Sequence, residues 1–508
     1  MAAGEYYNGK ITWFVLLSSI VAAFGGMIFG YASTVTGGVM TMKPFLKKFF
    51  PRIYANMEED VTTSNYCKFD SQILTLFGSS IFISGLISSF LASPVTKALG
   101  RKASLLIGGV SFIIGACLGS AAYNLYMLMI GRILQGFAIG FINQSAPLYL
   151  SEMAPPKYRG AFNSGFQMCI NIGGLLAFVV NYATEKILAG WGWRLSLAAA
   201  AAPALILTAG GLFLPETPNS LLQRGCDHET AKKMLQKIRG SDDVQAELDD
   251  LAAAGRASKS LTKNPFRTIL ERKYRPQLVM SVAIPFFQQL NGINAVAFYI
   301  PQLFSAVGSG VSDSLLAGVI ISLVGSPTTL ISLAMVDRVG RRALFHAGGV
   351  LMLVTHVAVG AVMAAKLGDA GALSRGYGVA VLVLVAVYVA GFGISWGPLA
   401  WLVTSEIFPL EVRSAAQSIS VATGFVFTFA SAQTFLAMLC HMKAGIFFFF
   451  AAWVAVMTAF VYMFLPETKD VPIEKMERIW REHWFWRRFV VEDAGAAAAA
   501  GGGDVEGF

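Results

Sequence analysis

Charge is scarce in this chain. Only 14% of its 508 residues are Asp, Glu, Lys or Arg, against roughly 25% in soluble domains, and that scarcity excludes an ordinary water-soluble fold. The five cysteines (Cys67, Cys117, Cys169, Cys226 and Cys440) show no metal-ligand spacing. The sequence also holds no phosphate loop and no nucleophile–base constellation. No enzyme is therefore expected, with no catalytic residue, no metal and no cofactor. The net charge of +9 does not mark a nucleic-acid binder, because Lys and Arg gather in loops between apolar runs, as in membrane proteins. No cleavable leader is expected either: residues 11–31 are too long for a signal h-region and no clear cleavage site follows, so they read as a first span.

Apolar residues are abundant, at 55% of the chain, with 38 Phe and 51 Gly. Glycine lets membrane helices approach closely. Spans of roughly 20 residues are expected at 11–31, 73–91, 105–123, 128–150, 162–182 and 195–214. Six more are expected at 278–304, 315–336, 344–365, 379–403, 415–439 and 446–465.

The two sets of six repeat one another. Gly100-Arg101-Lys102 after span two answers Gly340-Arg341-Arg342 after span eight, and Ser151-Glu152-Met153-Ala154-Pro155 answers Ser405-Glu406-Ile407-Phe408-Pro409. Leu214-Pro215-Glu216-Thr217 ends span six as Leu465-Pro466-Glu467-Thr468 ends span twelve, and each pair lies about 250 residues apart. Internal duplication in a membrane chain points to a transporter with its site at the interface of the repeats. The expected fold class is an all-α membrane protein of twelve transmembrane helices in two pseudo-symmetric six-helix bundles, 1–214 and 276–465. A lid-like extracellular loop is expected at about 43–70, an intracellular helical segment at 215–275, and a cytoplasmic tail at 466–508, disordered at its Ala- and Gly-rich end.

At one membrane face the repeats place Arg101, Glu152, Arg159 and Glu216 in the first half, and Arg341, Glu406, Arg413 and Glu467 in the second. Carboxylates and guanidiniums can pair bidentately, which would latch the bundles to each other. Solvent-exposed pairs of modest strength would suit a latch that must break in each cycle. Simple positive-inside anchoring is the alternative.

The stretch 285–299 sits in an apolar run yet carries four amides: Gln288, Gln289, Asn291 and Asn294. An amide in hydrocarbon costs several kcal/mol unless it is hydrogen-bonded or faces a wet cavity. On a helix the first three fall on a narrow arc, with Asn294 one turn further. Amides offer donors and acceptors without charge, which suits a neutral polyhydroxylated ligand, although amides also bind helices to one another in bundles.

At these residues the chain resembles the sugar porters of the major facilitator superfamily and, more closely, the plant monosaccharide–proton symporters. The resemblance covers the chain to about Val491. It rests on Gly131-Arg132-Ile133-Leu134, Pro147-Leu148-Tyr149-Leu150-Ser151-Glu152, Pro215-Glu216-Thr217-Pro218, Gln288-Gln289-Leu290-Asn291-Gly292-Ile293-Asn294, Gly397-Pro398-Leu399-Ala400-Trp401 and Pro466-Glu467-Thr468. It implies a monosaccharide held by the amides Gln288, Gln289 and Asn294, with Trp401 lying against the sugar. An indole suits that place, since its face takes C–H surface while its N–H bonds; an interfacial belt Trp is the other reading. Gln167, Thr428 and the aromatic wall residue Phe29 match further contacts, with helix packing as the alternative for each. Cys67 and Cys440 match an extracellular disulfide, with two free thiols as the alternative.

The departures bear on coupling. Where the symporters carry a proton-accepting aspartate after Phe-Gly-Tyr, this chain has Ala32, while the presumed partner Arg132 remains. No other Asp or Glu lies in the first-half spans. His356 in span nine is the one mid-span histidine. It is either a coupling group or a packed, hydrogen-bonded one. Two family amides fall on Gly325 and Gly424, whereas Asn291 adds one. The reading is therefore monosaccharide (hexose) transport across a plasma membrane by alternating access. The partners are a monosaccharide, the lipid bilayer and, by family expectation, protons. The alternatives are an uncoupled facilitator of altered specificity, or a transport-inactive sugar sensor.

Overall fold

The structure is a computed structural model, and it describes residues 10–59, 71–155, 158–187, 190–225, 228–252, 265–294, 300–301, 303–304, 310–366, 374–409, 411–469, 471 and 476–490. Among the described residues there are helices and no strands, and eleven helices are long and apolar enough to cross a membrane. The spans run longer than the sequence pattern indicates: span one is Trp13–Val39, span two Gln72–Leu99 and span eleven Arg413–Met442. In span one the extra turns, 32–39, are rich in Ser, Thr and Gly yet buried against neighbouring helices, so hydropathy does not reveal them.

Span seven differs. Its helix Arg275–Leu290 stops at Asn291, because Gly292 adopts φ +90°, a conformation that L-residues with a Cβ avoid. Span ten is broken similarly, into Arg375–Ile394 and Trp396–Glu406, at Ser395 (φ −122°, ψ −94°).

Helix packing repeats as the motifs do. In the first half span one packs on span five, two on four, and three on both four and six. In the second half span seven packs on eleven, eight on ten, and nine on both ten and twelve. The halves meet where span two lies along span eleven and span five along span eight. Close approach is bought with glycine in places: a Cβ on Gly131 of span four would lie 2.9 Å from the Gly115 carbonyl of span three.

Of the region expected to be a lid loop, residues 43–59 are described and are helical apart from Phe50, while 60–70 lie outside the described residues. Lys43–Phe49 and Pro51–Glu59 are helices, and the buried Phe45 packs on Phe77 of span two and on Trp193. On the opposite face, Arg239 of the helix His228–Arg239 bonds to Glu247 and donates to the Met153 carbonyl at 3.2 Å, tying the 215–275 segment to the end of span four.

Candidate functional site

One cavity, of about 1300 Å³ including solvent at its mouth, lies between the halves. Gln167, Gln288, Gln289, Asn294, Trp401, Thr428 and Phe29 all line it, and so do Gly325 and Gly424. No Asp, Glu, Lys or Arg is among the lining residues, so the wall presents amides, hydroxyls and rings without net charge.

The two helix breaks build its second-half wall. Gln288, in the last turn before the break in span seven, donates to the carbonyls of Trp396 (3.2 Å) and Gly397 (3.4 Å), just past the break in span ten. Asn294 beyond the break donates to Gln289 before it. From span ten the indole N–H of Trp401 reaches across to Oε1 of Gln167 in span five at 3.0 Å, and its ring stands edge-on to Phe166 at 5.3 Å. Phe29 of span one meets Phe425 of span eleven edge-on at 6.4 Å. The Thr428 hydroxyl is engaged with the Gly424 carbonyl at 2.7 Å.

Asn291 does not join this wall. It is fully buried off the cavity, and its Oδ1 accepts from the Ile293 N–H at 2.8 Å. Its main-chain oxygen accepts from the Tyr388 hydroxyl at 2.9 Å and from His356 Nε2 at 3.0 Å. A helix end in a bilayer leaves carbonyls that need donors, and His356 meets that need. It is buried under Tyr388, with ring centroids 4.2 Å apart, and does not line the cavity.

Arg132 is also buried. It donates to the Ala32 carbonyl (3.4 Å), the Phe77 carbonyl (3.5 Å), Gln135 Oε1 (3.0 Å) and the Thr36 hydroxyl, and lies over the Phe77 ring at 5.0 Å. Among the described residues no carboxylate pairs with it.

The charged motifs depart from the expected exposed latch in two ways. First, they are buried: Arg101 binds Glu152 at 2.9 Å, with side chains 5% and 0% exposed, and Arg341 binds Glu406 at 2.9 Å, 5% and 7% exposed. Second, these pairs lie within one half each. Glu216 and Glu467 take a further role as helix caps. Glu216 accepts from the Arg101 N–H (3.0 Å), while Glu467 accepts from the Arg341 and Arg342 N–H groups (2.9 and 3.0 Å). Each satisfies orphan donors where a positive-φ glycine, Gly100 or Gly340, starts a helix. Arg413 does cross between halves, donating to the Ser151 hydroxyl at 2.8 Å and lying 4.0 Å from Glu152. Uncharged bonds also cross on this face, as in Asn163 to Ser405 (3.0 Å) and Gln144 to the Ser414 carbonyl (3.2 Å), and the Asp337 carboxylate of span eight accepts from the backbone N–H of Ala161 at the start of span five. The side chain of Arg159 lies outside the described residues. Cys440 is engaged in a disulfide, whereas Cys67 lies outside the described residues.

Several lining residues are absent from the sequence reading. Asn143 and Gln417 have both amide atoms buried without a hydrogen-bond partner among the described residues, and so has the Ser420 hydroxyl. Asn171 lines the cavity one turn beyond Gln167. Each is an amide or hydroxyl inside an apolar run, the signal used for span seven, and polar neighbours accompany them: Gln144 beside Asn143, Gln167 with Asn171 in span five, and Gln417 with Ser420 in span eleven. Among the described residues no cluster of His, Cys, Asp and Glu could hold a metal.

Comparison with known proteins gives a consistent result. A family described as "Sugar (and other) transporter" matches residues 18–480. The chain is 62% identical to the hexose carrier protein HEX6 of Ricinus communis, over 97% of this chain and 96% of that one. It is 57% identical to sugar transport protein 3 of Arabidopsis thaliana, over 95% and 94%. Among solved structures it is similar to the major facilitator superfamily proton:xylose symporter XylE bound to 6-bromo-6-deoxy-D-glucose, with TM-score 0.80 and 25% identity over 93% of this chain and 100% of that one. Against the inward-open conformation of XylE from E. coli the TM-score is 0.68, at 26% identity over 91% and 99%.

Proposed function

As this chain belongs to the sugar transporter family, and is a multi-pass membrane carrier of the major facilitator superfamily, we propose that it carries a hexose by alternating access, in a plasma membrane. The observation that carries this reading is the uncharged cavity between the halves, where Gln167, Gln288, Gln289, Asn294 and Trp401 converge. Amides can donate to and accept from sugar hydroxyls, and the indole offers an apolar face to the pyranose C–H surface. The names of the relatives, a hexose carrier and a sugar transport protein, support the same substrate class. Bonds across the Arg413 face, together with the higher similarity to a sugar-bound than to an inward-open structure, support a closed cytoplasmic side. A disulfide from Cys67 to Cys440 belongs to this reading, fastening the lid to the second half. The test is labelled glucose uptake in cells that lack their own hexose carriers.

Proton symport is what the family pattern implies for such a carrier, and a similar structure is titled a proton:xylose symporter. The surroundings of Arg132 favour uncoupled transport instead. A coupling site needs a group that gains and loses a proton in the cycle. Ala32 cannot do so, the arginine already has neutral partners, and His356 is spent on the Asn291 carbonyl away from the cavity.

A further inference from the structure

One cavity amide remains without a part in this account. Asn171 lies four residues beyond Gln167 on span five, so both side chains share one helix face. Its Oδ1 accepts from Gln167 Nε2 at 3.2 Å. Its Nδ2 donates to the Thr329 hydroxyl at 2.7 Å and to the Gly325 carbonyl at 3.4 Å, both in span eight. Gln167 in turn accepts from Trp401. The result is a continuous hydrogen-bonded strap from span ten through span five to span eight, crossing twice between the halves.

The strap is polar where its surroundings allow competition. Asn171 and Gln167 both line the cavity, and Oδ1 of Asn171 has capacity for a second donor. Across from Asn171, span eight offers the Thr329 hydroxyl, already engaged by Asn171, and the backbone of Gly325, where a built Cβ would meet only Val389 Cγ1, at 3.1 Å. Span eight brings the Ser322 hydroxyl to the cavity but no side chain at 325, whereas span five brings the amide of Asn171. We propose that Asn171 is a specificity-determining residue: it makes the sugar-hydroxyl contact that glycine at 325 cannot make, and so selects which monosaccharide stereochemistry the cavity accepts. This rests on the hexose-carrier reading.

A sugar engaging Asn171 also meets a residue fastened to both halves, so the contact would bear on affinity more than on stability. The experiment uses the purified full-length chain, with D-glucose binding and uptake into vesicles measured against a series of monodeoxy-glucoses. In Asn171→Val, glucose affinity should fall about 2- to 12-fold. One deoxy sugar that competes poorly with wild type should then compete as well as glucose, because the hydroxyl it lacks has lost its partner. Asn171→Val combined with Gly325→Asn should recover discrimination by supplying the amide from the facing wall. Thr329→Val, which keeps Asn171 but removes its 2.7 Å acceptor, should alter the ranking of the same deoxy sugar, and serves if Asn171→Val does not fold. An unchanged ranking of the deoxy sugars in the variants, whether affinity is unaltered or falls equally for all, overturns this proposal while leaving hexose carriage intact. A wild type that neither binds nor moves any monosaccharide overturns the carrier reading, and this inference with it.

Discussion

Arg132 donates to the main-chain oxygen of Ala32 at 3.4 Å, at the position where the family pattern implies an aspartate. The guanidinium is buried and its partners are two carbonyls, an amide oxygen, a hydroxyl and an aromatic face. An arginine served in this way holds its charge throughout the cycle. It can position spans one, two and four, and among the described residues no carboxylate pairs with it.

Restoring the acid should restore coupling. Ala32→Asp places a carboxylate against Arg132, and glucose uptake by this variant should become sensitive to external pH and to a protonophore. Wild-type uptake should stay nearly flat between about pH 5 and 8, the range in which a coupling histidine would titrate. Initial rates across that range check both statements, and a steep pH dependence in wild type would mean a proton acceptor other than residue 32.

The sugar wall should respond in affinity. Gln288→Ala removes the donor to the Trp396 and Gly397 carbonyls as well as a sugar partner, and Trp401→Ala removes the ring and the bond to Gln167. Each should raise KM for glucose, by about 2- to 12-fold for one lost hydrogen bond and more for the indole. Two variants with unchanged KM would relocate the site.

His356 should prove structural. His356→Phe leaves the Asn291 carbonyl with Tyr388 as its remaining side-chain donor and should lower thermal stability by about 1–3 kcal/mol, the usual effect of removing one partner of a buried bond. Protonophore response should match wild type. A changed response would make this histidine part of coupling after all.

The two kinds of charged motif should separate in melting experiments on the detergent-purified chain. Glu152→Ala breaks a buried pair with Arg101 and should cost about 3–5 kcal/mol. Glu467→Ala removes a helix cap and should cost about 0.5–2 kcal/mol. The opposite order would contradict the division drawn between core pair and cap.

Much of this was legible in the sequence. The duplicated Arg, Glu and Pro-Glu-Thr motifs announced two matched halves, and of the four amides in span seven, Gln288, Gln289 and Asn294 line the cavity. Asn291 was misjudged because a helix turns by about 100° per residue, which sets Asn291 well round from Gln289 and off the cavity wall. The Arg101–Glu152 and Arg341–Glu406 pairs gave no sign of their burial, since charge at a helix end in sequence looks like surface. Asn143, Asn171 and Gln417 were missed because an amide in an apolar run does not by itself say whether it faces a neighbour or a cavity. That depends on which helices pack against it.

The most direct test of the account is labelled glucose uptake by the wild-type chain in cells lacking hexose carriers, with and without a protonophore. Uptake that runs down the glucose gradient and is unaffected by the protonophore is the predicted result. Uptake that accumulates glucose against its gradient and collapses when the proton gradient is removed would contradict it, showing that coupling survives without an acid at Ala32.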